Sequence, residues 1–216
     1  MTNLFSVFDP CTGFLSMNWL STIIFMMILP YKYWFTPNKI NLMFSMVMKT
    51  LQKEISMLMP YQGTTLIMLT LLLFVLVNNL MGLLPYVFTS SSHLIYSLSM
   101  ALPLWMALMI YGWTNKYNSM FSHLVPTGTP AMLMPFMVMI ETVSNIIRPG
   151  SLSVRLTANM IAGHLLMSLL GNNTSTMFLM ISAMIVYVGL MLFELAVAMI
   201  QSYVFMTLGT LYSSEI

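Results

Sequence analysis

Residues Ser153–His164 read S-V-R-L-T-A-N-M-I-A-G-H. They sit inside an apolar tract, 131–170, and carry a permanent positive charge, Arg155, at their centre. An arginine at hydrocarbon depth is costly, and intramembrane charges mark ion or substrate paths. The residues around it are 59% hydrophobic and only 6% charged over the whole chain. Soluble domains carry about 25% charge. So little charge cannot cover a water-facing surface, which makes this an all-α integral membrane protein.

Working outward, the tract 131–170 is followed by a second, 174–212. Each is about twice the roughly 20 residues an upright helix needs to cross hydrocarbon. Neither contains a polar break, so the pattern predicts two long, tilted helices forming an antiparallel hairpin. Gly171–Thr176 is the expected joint, and Pro149 with Gly150 the expected bend, since proline removes a backbone hydrogen bond. The Asn172 N-x-T triplet reads as an asparagine-rich loop end rather than a glycosylation site. Earlier spans are expected at 64–85 and 94–113, separated by the polar break Phe88–His93, where His93 reads as solvated. A first span is expected at 13–33, ending in the aromatic cluster Tyr31, Tyr33 and Trp34, as at a membrane–water interface. Asn78, Asn79 and Gly82 read as helix-end and packing residues, with path lining as the alternative. Residues 114–130 read as a polar loop.

Residues 38–58 differ. Ile40, Met43, Phe44, Val47, Leu51, Ile55 and Leu58 recur at helical steps, with Lys49, Gln52 and Lys53 on the other face. That is an amphipathic helix suited to the headgroup plane. The layout is thus five membrane helices plus one interfacial helix in a single membrane domain, 1–216. All five lysines (Lys32, Lys39, Lys49, Lys53 and Lys116) then fall on one side, while the opposite loops hold no Lys or Arg. The positive-inside rule puts the C-terminus inside and the N-terminus outside. The N-terminus carries no basic residue, unlike a signal or transit peptide. Cys11 is the single cysteine, so no internal disulfide forms.

Positions seven apart lie about 20° apart around a helix. Glu141, Arg148 and Arg155 share one face, with Ser144, Ser151 and Asn159 on the same side. Tyr187, Glu194 and Gln201 repeat the spacing on the last helix. Two polar stripes suggest a hydrated path between them. Facing residues of an antiparallel hairpin share an index sum, and the pairs Arg155–Gln201 and His164–Glu194 nearly do. One register therefore places both pairs side by side. His164 lies on the opposite side of its helix from Arg155 and needs a different neighbour unless the helix bends. Arg148 reads as paired with Glu141; Glu194 reads alternatively as a packed neutral group. His93, His123 and His164 are too scattered to bind haem or metal. There is no phosphate loop and no activated nucleophile, so no cofactor, no nucleotide and no nucleic acid is expected.

The segments Asn78–Tyr86 (N-N-L-M-G-L-L-P-Y), Ile140–Ser144 (I-E-T-V-S), Val154–Leu166 (V-R-L-T-A-N-M-I-A-G-H-L-L) and Glu194–Phe205 (E-L-A-V-A-M-I-Q-S-Y-V-F) carry a close resemblance to subunit a of mitochondrial F-type ATP synthases. The resemblance covers nearly the whole chain. The Met-rich style, with 27 methionines, resembles arthropod mitochondrial members. It implies a non-catalytic, proton-conducting stator subunit of the mitochondrial inner membrane, with the N-terminus in the intermembrane space and the C-terminus in the matrix. The implied partners are a rotating c-ring, other membrane-sector and peripheral-stalk subunits, lipid, protons and water. The family's essential arginine maps onto Arg155, whose charge favours the ionised carboxylate of each passing rotor subunit. By the same resemblance His164, Asn159, Glu194 and Gln201 belong to the intermembrane-space path or the Arg155 surroundings, and Glu141 to the matrix-side path; Arg148 inherits no role. The competing readings are a secondary transporter with a midplane site, which usually shows internal repeats, and a structural subunit of a respiratory complex, which has no need of Arg155.

Overall fold

In the computed structural model, the described residues are 4–11, 15–30, 34–59, 62–125, 130 and 132–172, and 177–215. Tyr31 and Tyr33 of the expected aromatic cluster, Lys32, Pro126 and Gly128 of the expected loop, and most of the hairpin joint lie outside them. The described elements are helical. They comprise α1 (Ser21–Ile24), α2 (Lys39–Leu58), α3 (Gln62–Gly82), α4 (Leu94–Asn115), α5 (Tyr117–Leu124), α6 (Met134–Asn172) and α7 (Met177–Glu215), with short 3-10 turns between. Four of these (α3, α4, α6 and α7) are long and apolar enough to cross a membrane.

The expected first span, 13–33, is not one helix in its described part. Met17–Leu20 and Phe25–Ile28 are 3-10 turns flanking α1. Ser21 and Thr22 donate their hydroxyls to the carbonyls of Asn18 and Trp19, at 2.8 Å each. Leu15, Ile23 and Met27 are exposed, while Trp19 packs on the rings of Phe88 and His93. The loop expected over 114–130 contains α5.

Elsewhere the boundaries follow the hydrophobic runs. The amphipathic α2 docks most deeply at its C-terminal end. Ile55 and Met59 are buried with Met68, Leu69, Leu72 and Met206 of α3 and α7, while Ile40, Met43 and Val47 remain uncovered. Glu54 accepts a 3.5 Å hydrogen bond from Tyr203, tying α2 to α7. α6 runs unbroken through Pro149, which is buried inside it.

Lipid tails are as apolar as leucine, so membrane helices associate through close packing rather than hydrophobic drive. Small residues set the seams here. Ser153 and Ser202 are fully buried, and each hydroxyl is satisfied within its own helix, on Gly150 O at 2.8 Å and Met199 O at 2.7 Å. Around them Val75, Ala101, Leu152, Leu156 and Phe205 join α3, α4, α6 and α7. Leu83, Met160 and Ala198 form a second cluster toward the far end. The face of α6 that includes Val154 and Arg155 stays outside this packing.

Candidate functional site

α6 and α7 meet in the register the index sums predict. Gly163 lies opposite Glu194, and their index sum falls midway between those of the two predicted pairs. A Cβ built on Gly163 overlaps the Glu194 carboxylate. Only glycine lets that carboxyl lie against the α6 backbone. Glu194 is 8% exposed, and its Oε1 has no hydrogen-bond partner.

The neighbouring His164 is half-buried and turns away from Arg155. Its ring makes a T-shaped contact with Phe8, with centroids 6.2 Å apart, and its Nε2 is also buried. It lines a polar cavity of about 720 Å³ together with Asp9, Asn18, Tyr86, Ser168 and Tyr187. Tyr86 is wide open and holds a positive φ of 65°, which reverses the chain after α3. This cavity lies where α3 and α6 end and α7 begins.

A second cavity, of about 450 Å³, lies at the other end of the hairpin. Trp105, Trp113, His123, Glu141, Arg148 and Tyr212 line it. Glu141 and Arg148 form the predicted ion pair, 3.7 Å apart, and the guanidinium also sits 4.9 Å from the Tyr212 ring centroid. That distance suits a cation–π contact. From Arg148 to His164 is roughly 24 Å of helix at 1.5 Å per residue. Arg155 lies between the two cavities, exposed on the outer face of α6. Asn159, one turn on, and Gln201 on α7 are partly buried.

The sequence-predicted residues therefore fall into three groups. His164 lines one cavity, and Glu194 lies against Gly163, the residue next to it. Glu141 lines the other cavity with Arg148. Arg155, Asn159 and Gln201 belong to the stretch between them. Sequence reasoning missed Gly163, whose role depends on what faces it, and Asp9, which is remote in the chain.

The end of α3 follows the helix-end and packing reading in part, with Gly82 close against Met160 and Thr89, whereas the serine loop was misread as polar and open. Asn78, Asn79, Ser90, Ser91 and Tyr96 are buried. Asn78 does bond within its helix, to Phe74 O at 2.9 Å, but its Oδ1, both polar atoms of Asn79 and both serine hydroxyls have no partner. His93, expected to be solvated, is instead held by the rings of Trp19 and Phe88, at 5.2 and 5.3 Å, with its Nε2 buried. A buried polar atom without a partner costs about 1–3 kcal/mol. Such atoms usually mark places where water sits. Among the described residues they belong to the α3–α4 turn region and Glu194. The polarity of Asn78–Asn79 inside an apolar span was the signal available.

The sequence profile of the ATP synthase A chain family matches residues 14–214. The chain is 55% identical to ATP synthase subunit a of Drosophila melanogaster, over 100% of this chain and 99% of that one. It is 53% identical to ATP synthase subunit a of Aedes aegypti and 52% identical to that of Anopheles gambiae, with the same coverage. With its membrane-length helices, its hairpin register and its matches to insect relatives over their full length, the chain belongs to the ATP synthase A chain family, as an arthropod-like F-type subunit a.

Proposed function

We propose that the two cavities are the two halves of a proton path, and that Arg155 separates them. The observation that carries this reading is the placement of Arg155. It is exposed on the outer face of α6, between a polar cavity at one end of the hairpin and the Glu141–Arg148 cavity at the other. A proton entering by the His164 cavity reaches Glu194 and is transferred to a carboxyl of a c-ring subunit. The ring then carries it round, and it leaves through the Glu141 cavity. Arg155 favours the ionised rotor carboxylate by opposite charge and blocks direct passage between the halves. Each proton supplies about 2.3 kcal/mol per 100 mV of potential.

Under this reading the chain performs no ATP chemistry itself. It works in the mitochondrial inner membrane, with the His164 cavity facing the intermembrane space and the Glu141 cavity facing the matrix. Its partners are the c-ring and the other membrane-sector and peripheral-stalk subunits. The test is Arg155→Gln in the complete ATP synthase. The expected result is loss of proton-driven ATP synthesis with assembly intact. Retained coupled synthesis overturns the proposal.

A further inference from the structure

We infer that Asp9 is a proton-collecting carboxylate at the mouth of the His164 cavity. The inference rests on the proton-path reading and adds a residue to it. Asp9 follows the 3-10 helix Leu4–Phe8, and is the one carboxylate among the described residues that line this cavity. It is exposed, so water outside reaches it.

Two contacts hold it there. Its Oδ1 accepts the backbone N–H of Cys11 at 3.2 Å, and Asn18 donates to its carbonyl at 3.4 Å. The residue just before it, Phe8, packs its ring on His164 in a T-shaped contact. The segment therefore carries an acid at its exposed end and touches the imidazole one residue away. Between them lie the polar walls given by Asn18, Ser168 and Tyr187. The buried Nε2 of His164 marks the inner end of the route. The other titratable groups facing this space are Cys11, Tyr86, His164 and Tyr187.

The chemistry is proton exchange alone. The carboxylate takes a proton from hydronium or a buffer acid, leaving water or the buffer base. It then releases that proton to cavity water leading to His164. A negative charge at a cleft mouth also raises the local concentration of cations. Fields focused in clefts accelerate capture by roughly 10–1000-fold, and one exposed carboxylate belongs at the low end of that range.

The test uses the complete ATP synthase in sealed inner-membrane vesicles, with proton-driven synthesis measured per assembled complex. Asp9→Asn is expected to slow synthesis about 3- to 10-fold in weak buffer. A concentrated small buffer on the cavity side should restore the rate, because mobile acids replace the fixed one, and Asp9→Glu should stay close to wild type. An unchanged rate in Asp9→Asn, or a loss that buffer does not relieve, overturns the inference. Glu194→Gln run in parallel separates the two ideas. If it leaves synthesis intact, the proton-path reading itself fails. If it abolishes synthesis while Asp9→Asn does nothing, only the role of Asp9 fails. Should Asp9→Asn not assemble, the wild-type complex can be tagged at Cys11 with thiosulfonates of equal size and opposite charge. The cationic tag should slow synthesis more than the anionic one, and equal slowing overturns the inference.

Discussion

Gly163 and Glu194 meet across the α6–α7 seam with no room for a Cβ between them. The glycine sits beside His164 and the carboxyl is buried with one oxygen unpartnered. A methyl group at position 163 must therefore move a carboxyl that the proposed path depends on.

Gly163→Ala is expected to cut proton-driven ATP synthesis more than about tenfold, with overpacking of roughly 1–3 kcal/mol at the seam. Shortening the acid in the double variant Gly163→Ala with Glu194→Asp should restore part of the loss, because the two residues share one space. Gly189→Ala, where an added Cβ meets nothing within 4 Å, serves as the comparison and should stay within about twofold of wild type. Purely additive effects in the double variant would mean that the clash is not the cause.

Arg148 and Glu141 should behave unequally. Their ion pair is partly exposed, with side chains 26% and 38% accessible, and pairs of this kind contribute about 0–1 kcal/mol. Arg148→Gln is expected to leave assembly and most of the synthesis rate in place. Glu141→Gln removes the acid of its cavity and should lower the rate further than Arg148→Gln does. Rates of synthesis in the two single variants, normalised to assembled complex, decide the order. The reverse order would take Glu141 off the path.

Asn79 has no hydrogen-bond partner for either side-chain polar atom and is 1% exposed. If water fills that space, Asn79→Leu should lower proton conduction about threefold or more while the complex still assembles. If the space is dry, the same change removes an unsatisfied polar group and should stabilise the fold by about 1–3 kcal/mol. Proton flux and thermal stability measured on one preparation separate the two outcomes, and the proton-path reading expects the first.

Cys11 is a built-in reporter of sidedness. It is exposed and lines the His164 cavity. A membrane-impermeant maleimide added on the intermembrane-space side should label it, and the same reagent added on the matrix side should not. Cys11→Ala gives the background. Labelling from the matrix side would invert the proposed orientation.

Much of the fold was legible because its signals are local and repetitive. The runs 64–85, 94–113, 131–170 and 174–212 became α3, α4, α6 and α7 with small boundary shifts, since an apolar run in lipid has to satisfy its backbone bonds internally. The hairpin register followed from polar side chains at heptad spacing. The rest depended on contacts between distant residues. Thr89–Ser92 reads as a wet loop, yet it is packed in among neighbouring helices and fully enclosed. The α1 region has the composition of a span, yet its described residues form short 3-10 and α turns. Asp9 and Gly163 carry no local signal at all, because each matters only through what lies across from it.

The two sides of α6 differ in a way that has a mechanical consequence. One side is wedged into α4 and α7 through Leu152, Leu156 and Met160, while Arg155 projects from the other. Close-packed interiors have low compressibility. Under the proposed role, a rotor subunit passing Arg155 exerts sideways load on α6. The seam behind the arginine then acts as a bearing race, turning torque on one charge into strain shared by the whole bundle.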